Sequence, residues 1–282
     1  MKKEEDRRLT ARTITLNNGV EMPLLGLGVW KVGNGEELIK AIQTAADCGG
    51  YPSIDTASVY GNEEGVGEAI RKTGLPRESF FLTTKLWNTD HGYEATLQAF
   101  EASRKKLGVE YIDLYLIHWP IQETNRESWR AMEKLYSEGK VRAIGVSNFL
   151  EHHLLPLLET CQVQPAVNQI EYHPYLVSDE LHRFCMEHSI QLEAYSPLMR
   201  GLLLDDSVLL ELGKQYGKSV SQIILRWIVQ QNIIAVPKSI TPSRIRENAA
   251  VFDFELQPED MKRIASLHKN VRSSAHPDHR DF

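Results

Sequence analysis

The sequence lacks most of the features that mark specialised classes of protein. Its 282 residues include only three cysteines, Cys48, Cys161 and Cys185, and none of them has the C-x-x-C spacing of metal or redox sites. No apolar run reaches the ~18 residues of a membrane-spanning helix, and no signal-peptide pattern is present. These absences give no indication of a disulfide framework or a metal site. They predict a cytoplasmic protein without a membrane partner.

The chain also has less positive than negative charge. Lys and Arg together number 32 and Asp and Glu 38, which gives a formal net charge of -6. An excess of negative charge disfavours binding along a phosphate backbone, so we expect no nucleic-acid partner. Hydrophobic residues make up 42% and charged residues 25% of the sequence. This balance is typical of an ordinary globular protein, and we expect a monomer.

A regular alternation of apolar and amphipathic segments fills most of the chain. Residues 1–12 are charged without an apolar face and are predicted to form a flexible tail, followed by a β-hairpin around Asn17, Asn18 and Gly19. After the hairpin, strand and helix patterns alternate with a period of ~30 residues. The predicted strands are 24–29, 53–57, 80–86, 112–118, 141–147, 166–171, 191–196 and 233–237. An open sheet rarely keeps this regularity over eight units. We therefore predict an α/β fold, with residues 13–282 as one (β/α)8 TIM barrel and extra helices after the last strand.

Polar side chains gather at the predicted carboxyl ends of the strands, where barrels carry their active sites. Asp55, Lys85 and His118 end the second, third and fourth strands, and Tyr60 follows the second. Neighbouring strands lie ~5 Å apart, so we expect these four side chains to converge at the rim of the barrel.

The four side chains suit proton transfer to a carbonyl oxygen. A free tyrosine has a pKa near ~10, and a Lys85 ammonium held by Asp55 would lower the pKa of Tyr60. His118 would hydrogen-bond to the same substrate oxygen. Reduction of a carbonyl also needs a hydride, which no side chain supplies, so a nicotinamide cofactor is implied.

Each of these residues also has a purely structural interpretation. Asp55 and Lys85 could form a buried ion pair, His118 could be a buried histidine, and Tyr60 could be a packed loop aromatic. Two other functions remain open. One is a module that binds a cofactor as a redox sensor with little turnover. The other is a metal-dependent hydrolase using His118 and Asp55, although the sequence lacks a suitably placed second histidine.

A second polar cluster follows the last predicted strand, in the segment VPKSITPSRIREN (236–248). Two cations, Lys238 and Arg244, and the hydroxyls of Ser239 and Thr241 lie at the start of a predicted helix, where they would suit a phosphate monoester. The alternative is a solvated basic helix face. No G-x-G-x-x-G motif opens a strand–helix unit, so a dinucleotide would not bind at a Rossmann-type turn.

Three tryptophans, Trp30, Trp87 and Trp119, follow the ends of the first, third and fourth strands. Together they suggest an apolar pocket wall, although core packing would explain any one of them. The loop 121–125 and the segment after Asn270 are both short. We therefore expect an open pocket.

Eight segments, in order, resemble the aldo-keto reductases. They are GLGVW (26–30), IDTASVYGNEEGVG (54–67), TTKLW (83–87), DLYLIHWP (113–120), GKVRAIGVSNF (139–149), NQIEYHP (168–174), AYSPL (194–198) and VPKSITPSRIREN (236–248). The resemblance is strongest to the bacterial branch similar to 2,5-diketo-gluconate, glyoxal and methylglyoxal reductases. It implies a (β/α)8 barrel, NADPH as cofactor, and a catalytic tetrad of Asp55, Tyr60, Lys85 and His118. The segment 48–53 departs from the family pattern and is one residue longer.

The resemblance also implies which side chains contact the cofactor and the substrate. The positions that match a 2′-phosphate site are Lys238, Ser239 and Arg244, and those that match an adenine site are Glu247 and Asn248. The positions that match the nicotinamide site are Ser147, Asn148, Gln169 and Tyr195, and those near the pyrophosphate are Ser196 and Leu198. The other predicted cofactor contacts are Gly28, Val29, Trp30, Asp55, Ile240 and Thr241. The predicted substrate contacts are Trp30, Tyr60, Trp87, His118 and Trp119. Steroid-binding relatives have longer loops around the pocket, so the resemblance implies that this chain accepts small aldehydes, 2-oxoaldehydes or keto sugars. Glu171, Tyr172 and His173 are expected to be structural.

Overall fold

The computed structural model describes residues 12–49 and 53–279. The predicted flexible tail, except for Arg12, and the middle of the unusual segment 48–53 lie outside the described residues. The proposed division into a tail and one catalytic domain therefore stays a prediction.

The described residues form short strands and helices that alternate along the chain. The strands are β1 (Thr13–Thr15), β2 (Glu21–Pro23), β3 (Gly26–Gly28), β4 (Ser53–Asp55), β5 (Phe81–Leu86), β6 (Ile112–Ile117), β7 (Val141–Ser147), β8 (Val167–Glu171), β9 (Gln191–Tyr195) and β10 (Ile234–Val236). The helices are α1 (Glu36–Asp47), α2 (Glu63–Lys72), α3 (Tyr93–Leu107), α4 (Asn125–Ser137), α5 (Glu151–Leu158), α6 (Asp179–Glu187), α7 (Ser207–Tyr216), α8 (Val220–Val229), α9 (Pro242–Ala249) and α10 (Pro258–Ala265). Helices α9 and α10 follow the last strand, as predicted.

Strands β3 to β10 pair in chain order as one parallel sheet. Parallel bridges between Leu25 and Ala235 and between Gly28 and Lys238 connect its two edge strands. The sheet thus curls into the predicted (β/α)8 barrel. The first predicted strand is shorter in the structure, where β3 begins at Gly26 and the backbone amide of Leu24 donates to the backbone oxygen of Arg12.

The apolar character of the strands and the signals at the helix ends explain this fold. Residues of β5 and β6 are buried along their whole length, as expected for strands covered on both faces. Helix α8 begins at Ser219, whose side chain accepts from the backbone of Gln222 while Gln222 bonds back to Ser219. Helices α3 and α7 end at Gly108 and Gly217, both in the left-handed conformation.

The hairpin β1–β2 lies across the lower end of the barrel, where the strands begin. The side-chain amides of Asn17 and Asn18 donate to the backbone oxygens of Pro165 (3.0 Å) and Arg142 (2.9 Å), close to the starts of β8 and β7. Leu16 and Met22 of the same hairpin belong to the hydrophobic core. The hairpin therefore closes this end, and the functional site has to lie at the other one.

Gly67 sets the distance between α2 and α3. A Cβ atom at this position would lie 2.0 Å from the backbone oxygen of Leu107, so the helices would have to move apart. We expect Gly67→Ala to lower the free energy of unfolding by about 1–3 kcal/mol, as overpacking does. Urea denaturation measures this change. Glu68→Ala on the exposed face of α2 is the control and should change stability by less than about 0.5 kcal/mol. Equal midpoints for Gly67→Ala and the wild type would contradict this account.

Among the described residues, no helix combines the length and the apolar character that crossing a membrane requires.

Candidate active site

A pocket of about 450 Å³ opens at the carboxyl ends of the barrel strands. This volume is typical of sites for small organic ligands. The residues that line it are Gly28, Trp30, Asp55, Val59, Tyr60, Trp87, His118, Trp119, Ser147, Asn148, Gln169, Tyr195, Ser196, Arg200, Val236, Lys238, Ser274 and Ala275. All five predicted substrate contacts are in this wall.

Lys85 and Asp55 form a buried ion pair beneath the pocket. The Nζ atom of Lys85 lies 2.7 Å from Oδ1 of Asp55 and donates to the backbone oxygen of Thr56 at 2.8 Å. Lys85 is fully buried and Asp55 is 5% exposed. The second oxygen of Asp55 accepts from the side chain of Gln169 at 2.8 Å. Further hydrogen bonds of this kind offset the cost of removing both charges from water.

Tyr60 is the last residue of a 3₁₀ turn, Ser58–Tyr60, which follows β4 directly. The Nζ atom of Lys85 lies 5.2 Å from the centre of its ring. Burial raises the pKa of Tyr60, and the charge of Lys85 only partly opposes this. The sequence-based prediction of a lowered pKa is therefore wrong for this structure, because burial outweighs the ammonium.

Lys85 stays charged in the same environment. Burial acts to lower its pKa, but the combined attraction of Asp55, Tyr60 and Glu193 raises it. At neutral pH the site thus holds a protonated Tyr60 next to an ammonium, which is the state needed to donate a proton.

His118 lies beside Tyr60 in the wall of the pocket. Its ring centre lies 5.8 Å from that of Tyr60, 5.2 Å from that of Trp87 and 6.4 Å from that of Trp119. Burial, assisted by the charge of Lys85, holds its pKa well below the usual value. Its Nδ1 atom is buried and has no hydrogen-bond partner among the residues that the structure describes. His118 is therefore neutral and keeps one N–H group that could donate to a ligand oxygen.

A chain of amides and hydroxyls continues around the pocket from His118. The Nδ2 atom of Asn148 donates to the backbone oxygen of His118 at 3.0 Å and to Oγ of Ser147 at 3.1 Å. The hydroxyl of Ser147 donates to the backbone oxygen of Gln169 at 2.9 Å. Tyr195 contacts Oδ1 of Asn148 at 2.8 Å. The structure thus brings together all four positions that the resemblance gives to the nicotinamide.

Two ionisable residues near the site were missed by the sequence reasoning. Glu193 is fully buried and accepts from the side-chain nitrogen of Gln169 at 2.9 Å. Burial, together with the charge of Asp55, raises the pKa of Glu193. Glu193 comes two residues before Tyr195 in β9, and side chains two residues apart in a strand lie on the same face. The sequence could therefore have shown that Glu193 lies on the face of Tyr195. The guanidinium of Arg200 lies 4.9 Å from the centre of the Trp30 ring. Arg200 lies in a loop whose conformation no sequence pattern predicts.

Several predicted cofactor residues lie outside the pocket wall, and their contacts stay predictions. They are Val29, Leu198, Ser239, Ile240, Thr241, Arg244, Glu247 and Asn248. Val29 is buried and donates through its backbone to Asp55, while Asn248 is buried in α9. Glu247 accepts a hydrogen bond from the hydroxyl of Ser219. Lys238 and Arg244 are exposed and form no ion pair with any described residue.

The carboxyl-terminal segment contributes more to the pocket than the sequence predicted. Its shortness suggested an open pocket, but Ser274 and Ala275 form part of the wall. They are held there because Glu171 accepts hydrogen bonds from Ser273 and Ser274. The structural role expected for Glu171 thus extends to the shape of the site.

Comparison with known proteins accounts for this arrangement. Residues 24–269 match the model of the Aldo/keto reductase family. The chain belongs to this family. It is 53% identical over 266 residues to a glyoxal reductase of Bacillus subtilis, with 94% of this chain and 96% of the relative covered. It is 45% identical over 269 residues to the methylglyoxal reductase DkgA of Escherichia coli, again with 94% and 96% covered.

A solved structure gives the same result for the fold. A variant of Gox0644 in complex with NADPH superposes with a TM-score of 0.91 at 38% identity, and the match covers 96% of this chain and 99% of the other. The barrel predicted from the sequence is thus the fold of this family as well as that of the described residues.

Proposed function

We propose that this aldo/keto reductase reduces small aldehydes and 2-oxoaldehydes to alcohols with NADPH. One observation carries the proposal: the ring of Tyr60 lies 5.2 Å from the buried Nζ atom of Lys85 and 5.8 Å from the ring of His118, in the wall of one pocket. The glyoxal and methylglyoxal reductases among the relatives support this substrate class. The same relatives favour catalysis over a redox-sensing role with little turnover, because both are named as reductases.

Each side chain of the tetrad has a distinct task in this proposal. Bound NADPH would supply the hydride to the carbonyl carbon. Tyr60 donates its phenolic proton to the carbonyl oxygen, and the ammonium of Lys85 stabilises the phenolate that remains. Asp55 holds Lys85 charged and in place, and His118 orients the carbonyl oxygen through its N–H group. The tryptophans exclude water from the reacting atoms.

The residues on the side of β10 fit a phosphorylated dinucleotide. Gly28 lies in the pocket wall, and a Cβ at this position would lie 3.2 Å from a side-chain carbon of Val236, so glycine lets β3 and β10 pack closely beside the pocket. Two exposed cations, Lys238 and Arg244, are available for a phosphate. The complex of Gox0644 with NADPH supports the choice of this cofactor.

Removing the two cations should change the preference between cofactors. We expect the double variant Lys238→Ala/Arg244→Ala to weaken NADPH binding by roughly 1.5–3 kcal/mol for each lost charged contact, and to weaken NADH binding much less. The reason is that only NADPH carries the 2′-phosphate. Titration of tryptophan fluorescence with each cofactor measures both constants.

Arg246→Ala supplies a matched control, because Arg246 is also exposed on α9 but lies outside the predicted phosphate site. It should leave both cofactors unaffected. Equal weakening of NADPH and NADH in the double variant would remove the 2′-phosphate assignment without affecting the proposed reaction.

The reaction itself is tested by following NADPH oxidation with glyoxal, methylglyoxal and aryl aldehydes, in parallel with NADH. We expect turnover with NADPH on at least one of these small carbonyl compounds. NADPH binding without any turnover would instead support a redox-sensing role. The single catalytic domain over residues 13–282, the monomeric state and the cytoplasmic location stay predictions.

A further inference from the structure

The last described segment, residues 271–279, crosses the mouth of the barrel, and we name it the carboxyl-terminal strap. One end of the strap is bound by Glu171 at the end of β8. The other end is bound through Asp278, whose Oδ1 lies 2.8 Å from Nε2 of His152 and 3.1 Å from Nε2 of His153. Between these two points, Ser274 and Ala275 line the pocket. The strap is therefore fixed on both sides of the site.

Glu171 holds its end of the strap with both carboxylate oxygens. Oε1 accepts from the backbone and the hydroxyl of Ser273, both at 2.6 Å, while Oε2 accepts from the backbone and the hydroxyl of Ser274. His173 contacts Oε1 at 3.1 Å. Burial acts to raise the pKa of Glu171, but these hydrogen bonds lower it to about 2. The carboxylate of Glu171 is therefore ionised and can only accept hydrogen bonds.

This arrangement determines the direction of the next hydrogen bond. A serine hydroxyl has a single hydrogen, and Ser274 uses it for the carboxylate of Glu171. The Oγ atom of Ser274 also lies 2.8 Å from the hydroxyl of Tyr195. In that contact Ser274 has no second hydrogen to give, so Tyr195 has to be the donor.

Tyr195 therefore faces two acceptors with one hydrogen. Its hydroxyl lies 2.8 Å from Oγ of Ser274 and 2.8 Å from Oδ1 of Asn148. The side-chain nitrogen of Asn148 already donates to His118 and Ser147, which fixes Oδ1 as the atom towards Tyr195. The bond from Tyr195 to Oδ1 of Asn148 uses one of the two lone pairs of that oxygen. When Tyr195 donates to Ser274 instead, Oδ1 accepts more strongly from another donor.

The cofactor in the proposed function carries such a donor, because the carboxamide of its nicotinamide has an NH₂ group. We infer that Glu171 and Ser274 are positioning residues for the nicotinamide: they draw the hydroxyl hydrogen of Tyr195 to the strap and keep Oδ1 of Asn148 open for the carboxamide NH₂. This inference rests on the proposed function. It connects the strap to the cofactor through hydrogen bonds of residues outside the catalytic tetrad.

Ser274→Ala tests this link without releasing the strap. The variant keeps the backbone bond to Glu171 and both bonds of Ser273, but it removes the acceptor for Tyr195. The hydroxyl of Tyr195 then donates to Oδ1 of Asn148 alone, and this full hydrogen bond weakens the acceptance of the carboxamide NH₂ by the second lone pair of the same oxygen. Ser273→Ala is the matched control, since it removes a bond of the same kind to Glu171 and does not contact Tyr195.

The measurement compares the dissociation constants of NADP⁺ and of its 3-acetylpyridine analogue, in which a methyl group replaces the NH₂. For Ser274→Ala we expect NADP⁺ to bind about 3- to 5-fold more weakly, part of the effect of one hydrogen bond, while the analogue changes by less than about twofold. Ser273→Ala should change neither ligand by more than about twofold. In a Tyr195→Phe background, Ser274→Ala should have no further effect, since the competing hydroxyl is gone.

Equal weakening of both ligands would overturn the inference, because a merely structural role of Ser274 does not distinguish NH₂ from methyl. Unchanged binding of NADP⁺ by Ser274→Ala would overturn it as well. Neither comparison depends on turnover. A wild-type protein that binds NADP⁺ but reduces no carbonyl compound would contradict the proposed function alone, whereas one that binds no NADP⁺ would contradict both.

Discussion

Replacing Tyr60 by phenylalanine should lower kcat for methylglyoxal by about 10²- to 10⁴-fold, which is the usual contribution of a general acid. The variant removes the hydroxyl and leaves the ring in place beside Lys85 and His118. The residues assigned to the cofactor are untouched, so the dissociation constant of NADPH should change by less than about twofold. Steady-state kinetics and a fluorescence titration measure the two quantities separately.

Tyr172→Phe is the control for this experiment. Tyr172 is also buried, but its ring stacks on Trp227 and its hydroxyl bonds to Gln231, outside the pocket wall. This variant should keep kcat close to that of the wild type. An unchanged kcat in Tyr60→Phe would contradict the role of Tyr60 as proton donor, whatever the cofactor binding shows.

Replacing Lys85 by methionine should affect both stability and turnover. The change leaves the carboxylate of Asp55 buried without its cation, and loss of one partner of a buried ion pair costs about 3–5 kcal/mol. It also removes the charge that opposes the rise in the pKa of Tyr60. We therefore expect a large loss of kcat together with a lower urea midpoint.

The double variant Asp55→Asn/Lys85→Met separates the two effects. Without a carboxylate, the buried site no longer contains an unpaired charge, so much of the lost stability should return. Turnover should stay low, because no ammonium stabilises the phenolate of Tyr60. A single variant Lys85→Met as stable as the wild type would contradict the buried ion pair. Recovery of turnover in the double variant would contradict the assigned role of Lys85.

The barrel and the convergence of the tetrad could be predicted from the sequence because both follow from short-range regularities. Continuous apolar strands at even spacing indicate a closed parallel sheet, and the strand-end rule then brings Asp55, Lys85 and His118 to one rim. The structure places Lys85 against Asp55 as expected. The same reasoning applied to alternate positions of β9 would have found Glu193.

The protonation of the site and the paths of the loops could not be predicted in the same way. The pKa of Tyr60 depends on how much water the assembled pocket excludes, and the sequence shows only that a lysine is near. Arg200 adopts a left-handed backbone conformation with φ of 56°, which is uncommon for residues other than glycine. The strap reaches the pocket only because Glu171, a hundred residues earlier in the chain, binds Ser273 and Ser274.

The amino-terminal hairpin affects how the cofactor and the substrate bind and dissociate. Asn17 and Asn18 tie it across the lower end of the barrel, and Leu16 and Met22 pack it into the core. Cofactor and substrate are therefore expected to enter through the same pocket opening, at the carboxyl ends of the barrel strands. If one of them lies deeper than the other, we expect it to bind first and to leave last, so that the two would exchange in a fixed order. The turnover rate would then include the time that the ligand nearer to solvent needs to dissociate before the deeper ligand can leave.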